Sequence, residues 1–230
     1  MKHFPRILLI FLLISSVALT SCGDSRPANA ITEGIIEYDA KVLNDNHPLS
    51  PFAPSKATVK LKNEKWLLEM NSFGIFNIYF ICNINDLTLT QMVKYMDFQN
   101  ACIDDTTSLV EENDQYKLTF QETNDTKMIA GYKCKKLIAK KVADPSVTFD
   151  VYYTPDIATE DCNQLTPYKG IKGMLMDYRM VRVGLELHFK ATSVKKDTIE
   201  DKEFEIPENF TVLTRPEFNV KFKDLINNLL

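Results

Sequence analysis

Met174-Leu175-Met176-Asp177-Tyr178-Arg179-Met180-Val181-Arg182, then Val183-Gly184, then Leu185-Glu186-Leu187-His188-Phe189-Lys190-Ala191-Thr192 is the stretch that decides the fold. Met174, Met176, Tyr178 and Met180 alternate with Asp177 and Arg179. On the return, Leu185, Leu187, Phe189 and Ala191 alternate with Glu186, His188, Lys190 and Thr192. A period of two turns one face apolar and leaves the other wet, and Val183-Gly184 between the runs reads as a hairpin turn. The unit is a pair of antiparallel strands.

The same alternation recurs on both sides of this hairpin. Upstream it runs through Ile36, Tyr38, Ala40 and Val42, then Ala57, Val59 and Leu61. After the turn Asn63-Glu64 it continues through Trp66, Leu68 and Met70. Gly74 to Ile84 is more continuously apolar, as expected for a strand covered on both faces. Leu87 to Met96 carries strand residues early and helix-compatible ones late. Asp104 to Asp114 is acidic and predicts a loop. Strands resume at Tyr116, Leu118 and Phe120, across Met128–Val142, and at Val147, Phe149, Val151 and Tyr153. Thr154 to Gly173 predicts a long irregular stretch. Lys195 to Lys202 is charged and expected to be exposed, and Phe204 with Ile206 reads as a short strand. At the C-terminus the period changes. Phe218, Phe222, Leu225, Ile226 and Leu229 sit at helical spacing behind Thr214 as N-cap and Pro216 in the first turn. The sum is eight to eleven antiparallel strands with one to three helices. No βαβ rhythm occurs, which argues against a parallel α/β fold.

The first residues read as an address. Lys2 and Arg6 precede the apolar run Ile7–Leu13, and Leu19-Thr20-Ser21-Cys22 follows. Positive charge, an apolar core and a small residue before the cut are the order of a secretory signal. The run is shorter than the ~20 residues of a spanning helix. The cysteine after Leu-Thr-Ser resembles a bacterial lipobox, which implies a signal peptide over 1–21, a lipidated Cys22 and a polar tether over 22–30. A single domain over 31–230 follows. Acyl chains on Cys22 would hold the chain to a membrane, and the expected place is the bacterial cell envelope, facing the periplasm from the outer membrane. Loss of Lys2 and Arg6 from 27 basic residues, against 31 acidic ones, leaves a mature charge of −6. An acidic chain without a basic cluster is a poor nucleic-acid binder.

The 230 residues are 45% hydrophobic and 25% charged, the balance of one folded domain. Apart from Cys22 there are Cys82, Cys102, Cys134 and Cys162. In an oxidising compartment these allow two disulfides in three pairings, of which the local one, 82–102 with 134–162, is favoured. No CxxC is present. Histidine is scarce: His3 lies in the address, His47 in a polar loop and His188 on the wet side of a strand. No nucleophile elbow, zinc-protease or phosphate-loop motif occurs. The acidic pairs Asp104-Asp105, Glu111-Glu112 and Glu160-Asp161 lack the spacing and glycine of a calcium loop. Neither a metal nor a cofactor is expected, nor is an enzyme. The lysines at 133, 135, 136, 140 and 141 form a basic edge that discourages unwanted strand pairing.

Three stretches together carry a resemblance: Gly34-Ile35-Ile36-Glu37-Tyr38, Ile129-Ala130-Gly131-Tyr132-Lys133-Cys134, and Thr166 to Tyr178 followed by the Gly184 hairpin. In that order the chain resembles bacterial envelope lipoproteins of the domain-of-unknown-function or GLPGLI type, which look like relatives of the LolA/LolB lipoprotein-carrier architecture. The resemblance implies a mainly β (α+β) domain, a curved antiparallel half-barrel with one to three helices packed on its concave side. It also implies a hollow that takes acyl chains. An open curved sheet must cover its apolar concave face or bind something apolar there. The candidate lining is Trp66, Met70, Phe76, Tyr79, Met174, Met176, Tyr178, Met180, Leu187 and Phe189. Two functions are expected from this: binding of a lipid or acyl chain in the hollow, or a scaffold that binds another envelope protein and fills its interior with its own chain. Cavity volume separates them.

Overall fold

Period-two alternation builds twelve strands. The computed structural model describes residues 30–159, 161–182 and 184–229. The signal peptide, Cys22 and most of the tether lie outside them. In chain order the elements are β1 (Glu33–Val42), β2 (Lys56–Lys62), β3 (Lys65–Ser72), β4 (Phe76–Asn83), β5 (Thr88–Tyr95), β6 (Phe98–Asp104), α1 (Thr106–Gln115), β7 (Leu118–Ile129), β8 (Tyr132–Lys141), β9 (Thr148–Thr154), β10 (Met174–Arg182), β11 (Leu185–Lys195), β12 (Thr211–Leu213) and α2 (Arg215–Leu229). All twelve strands join one open sheet in the order β12-β6-β5-β4-β3-β2-β1-β11-β10-β9-β8-β7. Every pair is antiparallel except β12 with β6, which is parallel.

The sheet is curved, and side-chain placement shows why. Trp66 on β3 and Tyr178 on β10 are separated in the sheet by β2, β1 and β11, yet both line one cleft. A flat sheet would hold them about 19 Å apart at the usual strand spacing. The main core fills the concave face, drawing Tyr38, Leu61, Phe80, Met176 and Phe189 from strands across the sheet. This is a mainly β, half-open barrel with two α-helices, the architecture that the resemblance implies, and its twelve described strands are one more than the eight to eleven that the alternation predicts. The region 87–96, ambiguous in sequence, is strand β5. The predicted loop at 104–114 is instead helix α1, started by the Asp105 carboxylate accepting from the N–H groups of Thr107 (3.0 Å) and Ser108 (2.9 Å). Those bonds hold its carboxyl below the usual range.

The C-terminal residues wrap one edge of the sheet. After β11 the chain crosses the convex face, where Ile199 and Phe204 pack on Leu67, Ile81, Met92 and Ala101. Lys60 binds Glu203 at 2.7 Å and Lys62 binds Asp201 at 2.9 Å. The expected exposed run and short strand are therefore an irregular strap with a 3-10 turn at Asp201–Phe204. Its two apolar anchors have no period-two partners, so they fasten a crossing and not a strand. β12 then pairs with β6, and α2 turns back onto the concave side. Phe218, Phe222 and Ile226, one turn apart each, are its buried stripe. The Thr214 N–H donates to Glu217 Oε2 at 3.0 Å, the return half of a capping box. Arg215 locks the turn: its Nε donates to Asp104 Oδ1 at 2.9 Å and its Nη1 to Gln91 Oε1 at 3.1 Å. The Asp104 side chain is only 1% exposed, so this carboxylate, in a stretch that the sequence reads as an acidic loop, is a buried partner of a cation.

Candidate functional site

The concave face is occupied by the chain itself. Between β9 and β10, residues 155–173 fold back into the hollow as a plug. Its ends touch, because Met174 pairs with Thr154. Gly173 makes that approach possible at φ +124°, where a Cβ would lie 2.2 Å from the Thr154 carbonyl oxygen. Ile157, Cys162, Leu165, Tyr168 and Ile171 of the plug are all buried in the core. A buried irregular segment must satisfy its main chain. Asn163 Nδ2 donates to the carbonyls of Ile171 and Gly173, both at 2.8 Å, and Trp66 Nε1 donates to that of Cys162 at 2.8 Å.

Tyr168 closes a split in the sheet. β10 pairs with β9 only as far as Asp177 opposite Tyr152. Beyond it, the Tyr168 hydroxyl donates to the Arg179 carbonyl and accepts from the Arg179 N–H at 3.2 Å. The Tyr168 and Tyr178 rings meet edge to face at 5.8 Å, and Tyr178 stacks on Phe189 at 5.4 Å. Burial pushes the Tyr168 and Tyr178 phenols far above their ordinary range, so both stay protonated, and the Tyr168 hydroxyl keeps the proton it donates. At the outer lip of the split, Arg179 and Lys141 share Glu186 at 3.2 and 3.0 Å, and the Arg179 guanidinium lies 4.5 Å over the Phe149 ring.

What remains of the hollow is an apolar cleft of about 80 Å³ between β2–β5, the plug and β10. Of the predicted lining, Trp66, Met174, Tyr178 and Met180 border it. Met70, Phe76 and Leu187 border a second gap of about 40 Å³ beneath Phe222. Met176 and Phe189 are fully buried. Tyr79 lies on the convex face beside the strap. On β4 it alternates with Ile78 and Phe80, which face the core, so its side chain points the other way. The sequence reading missed Val59, Leu68, Phe80 and Leu89 on the strand wall, and Cys162, Asn163 and Pro167 on the plug. The strand residues carry the same inward parity as Trp66; the plug has no period to read.

No disulfide joins the four described cysteines, all of which are buried. The favoured pairing is absent for a geometric reason. Cys82 on β4 and Cys102 on β6 have β5 between them, which sets them about 10 Å apart, beyond the ~7 Å Cα limit of a disulfide. Cys134 sits on β8, whereas the plug carries Cys162 across to Trp66 on β3. Burial pushes the Cys162 thiol up to about 12 and that of Cys134 to about 11, which keeps both protonated and unreactive. His188 Nε2 lies 2.6 Å from Asp177 Oδ1, and His47 Nδ1 accepts from the Leu49 N–H at 3.2 Å. Among the described residues no cluster of His, Cys, Asp and Glu is arranged to hold a metal, and no helix is long and apolar enough to cross a membrane.

No protein-family model matches the chain, and no curated protein sequence does. Solved structures do resemble it. PNGF-II in space group P21 matches with a TM-score of 0.51 and 20% identity over 85% of this chain. The same protein in space group C2 matches with a TM-score of 0.50 and 21% identity over 84%. An uncharacterised conserved protein from Thermus thermophilus matches with a TM-score of 0.43 and 7% identity, over 80% of this chain and 91% of its own. The chain spans about a third of the length of PNGF-II, 33% and 32% in the two forms. At these identities the likeness to PNGF-II is one of fold alone.

Proposed function

We propose that this chain is a non-enzymatic lipoprotein of the bacterial cell envelope, held by acyl chains on Cys22 and working as a binding module for another envelope protein. One observation carries the reading: the hollow of the half-barrel is filled by the molecule's own plug. The cleft left behind, about 80 Å³, is well under the roughly 300–1,000 Å³ of small-molecule pockets. The plug is not loosely laid in, since its main chain is bonded to Trp66 and Asn163 and its Tyr168 hydroxyl donates to the Arg179 carbonyl of β10. The buried, protonated thiols support a role without nucleophilic chemistry. Anchorage on the periplasmic side of the outer membrane belongs to the same proposal and rests on residues 1–22.

A second reading, an acyl chain in the concave face, is favoured by the apolar walls that Trp66, Met174 and Met180 give the cleft. It requires the plug to withdraw. Native mass spectrometry of the purified full chain, titrated with a fluorescent fatty acid, tells the two apart. The expected result is no stoichiometric uptake. One fatty acid per chain overturns the protein-binding reading in favour of the lipid one. For the anchor, Cys22→Ala is expected to move the protein from the membrane pellet to the soluble fraction. A wild-type chain lacking any acyl mass on Cys22 overturns that part.

A further inference from the structure

One edge of the sheet is unfinished beside a groove of ligand size. β7 is the last strand in the sheet order. The Lys117 carbonyl accepts from the Val142 N–H at 3.0 Å. Antiparallel alternation from that bond turns the main chains of Thr119 and Gln121 toward β8, and those of Leu118, Phe120 and Glu122 outward. Among the described residues no strand meets those outward groups. Five residues at about 3.3 Å each give an open ladder near 17 Å long, an ordinary strand length.

The rest of β7 is defended. The register breaks between Glu122 and Thr126, and the Thr123 hydroxyl donates to the Lys136 carbonyl at 3.0 Å. A bulge with charged neighbours is how native edges refuse a partner. Leu118 to Gln121 has neither a bulge nor a charged side chain. It lies instead against a groove of about 360 Å³, with Leu118 and Phe120 on one side, Leu165 and Pro167 of the plug as floor, and Leu109 and Asn113 of α1 opposite. Among the described residues no donor meets the Asn113 side-chain oxygen, which is buried in that wall.

We infer that this groove takes an extended peptide segment of a partner protein, added to β7 over Leu118–Glu122 as a further strand. The inference rests on the protein-binding reading above and names the chemistry of the partner. An acyl chain fills apolar space but offers nothing to unpaired N–H and C=O groups. A peptide offers both, at the spacing of the ladder. Alternate side chains of the segment would enter the groove against Leu109, Leu118, Phe120 and Leu165 while the others face water. An alternating apolar and polar strand is therefore the segment that fits.

The probe is a capped Thr-Val hexapeptide, with a control N-methylated at alternate amides. The protein is the full chain, followed by amide exchange in NMR spectra. Saturating hexapeptide is expected to slow exchange at Leu118, Phe120 and Glu122 by more than about tenfold, leaving Thr119 and Gln121 unchanged because they are already in the ladder. The N-methylated control, which keeps the side chains and loses the donors, binds at least about tenfold more weakly. So does the full chain carrying Glu122→Pro, which removes one outward N–H and no bond to β8. Val220→Lys on the exposed side of α2, away from the groove, is expected to bind the hexapeptide as the unaltered chain does, which separates loss of fold from loss of binding. Equal binding of the methylated control, protection at other amides only, or no binding up to about 1 mM each overturns the inference. Such a failure leaves an absence of fatty-acid uptake standing, whereas fatty-acid uptake removes the parent reading itself.

Discussion

At one margin of the sheet, β12 is three residues long and held between a strap on the convex face and a helix on the concave face. At the other, β7 is twelve residues long, bulged between Glu122 and Thr126 and bare on its outer side over Leu118–Glu122. The first margin is closed by long-range contacts: the Arg215 pair with Asp104 spans 111 positions in the chain. The second is guarded only by its own local sequence. A sheet that is not a closed barrel must do something with both margins, and the difference shows where this molecule concentrates structure and where it leaves hydrogen-bonding capacity for another chain.

Several substitutions would break or sharpen that contrast. Arg215→Ala leaves the Asp104 carboxylate buried and unpaired, and should cost about 3–5 kcal/mol in denaturant unfolding. A loss under about 1 kcal/mol would show that the clasp is ornamental. Tyr168→Phe strips the Arg179 main chain of its partner where β10 leaves β9. The expected loss is about 1–3 kcal/mol, with faster exchange at the Arg179 amide. On the open side, Ala130→Asn places a residue suited to left-handed backbone at φ 48° ahead of Gly131. It should raise stability by about 0.5–1 kcal/mol without altering peptide binding. Smallest of all, Glu122→Pro should change stability by less than about 0.5 kcal/mol, because an outward N–H on an edge strand has no bond to lose. A large loss there would mean that the open ladder already has a partner within the chain.

The strands were legible because alternation such as Leu185, Leu187, Phe189 and Ala191 records which face is wet. The α2 helix was legible because Phe218, Phe222 and Ile226 repeat at its pitch. α1 was not: of its apolar residues, Leu109 is buried and Val110 is exposed, so no stripe marks it and only the Asp105 cap starts it. Tyr79 was placed on the wrong face because the run around it is apolar on both sides, and a one-residue shift of parity reverses every side chain. The plug residues Leu165, Tyr168 and Ile171 follow no period, since their burial comes from the hollow and not from an element. The disulfide expectation failed on topology, because spacing in sequence does not reveal that β5 stands between Cys82 and Cys102. Which strand ends the sheet, and hence where the groove lies, is likewise a property of strand order and not of any local pattern.

Ile31, ahead of β1, is fastened to the plug. The Ile31 N–H donates to the Asp156 carbonyl at 2.8 Å, and the Ala158 N–H returns to the Ile31 carbonyl at 2.7 Å. Any tension on the N-terminal end is thereby delivered to the root of the plug before it reaches β1. Two hydrogen bonds in a short parallel bridge form a weak link in that load path, and a pull along the chain would peel Ile31 from Asp156 and Ala158 while the twelve-stranded sheet bears little of the strain.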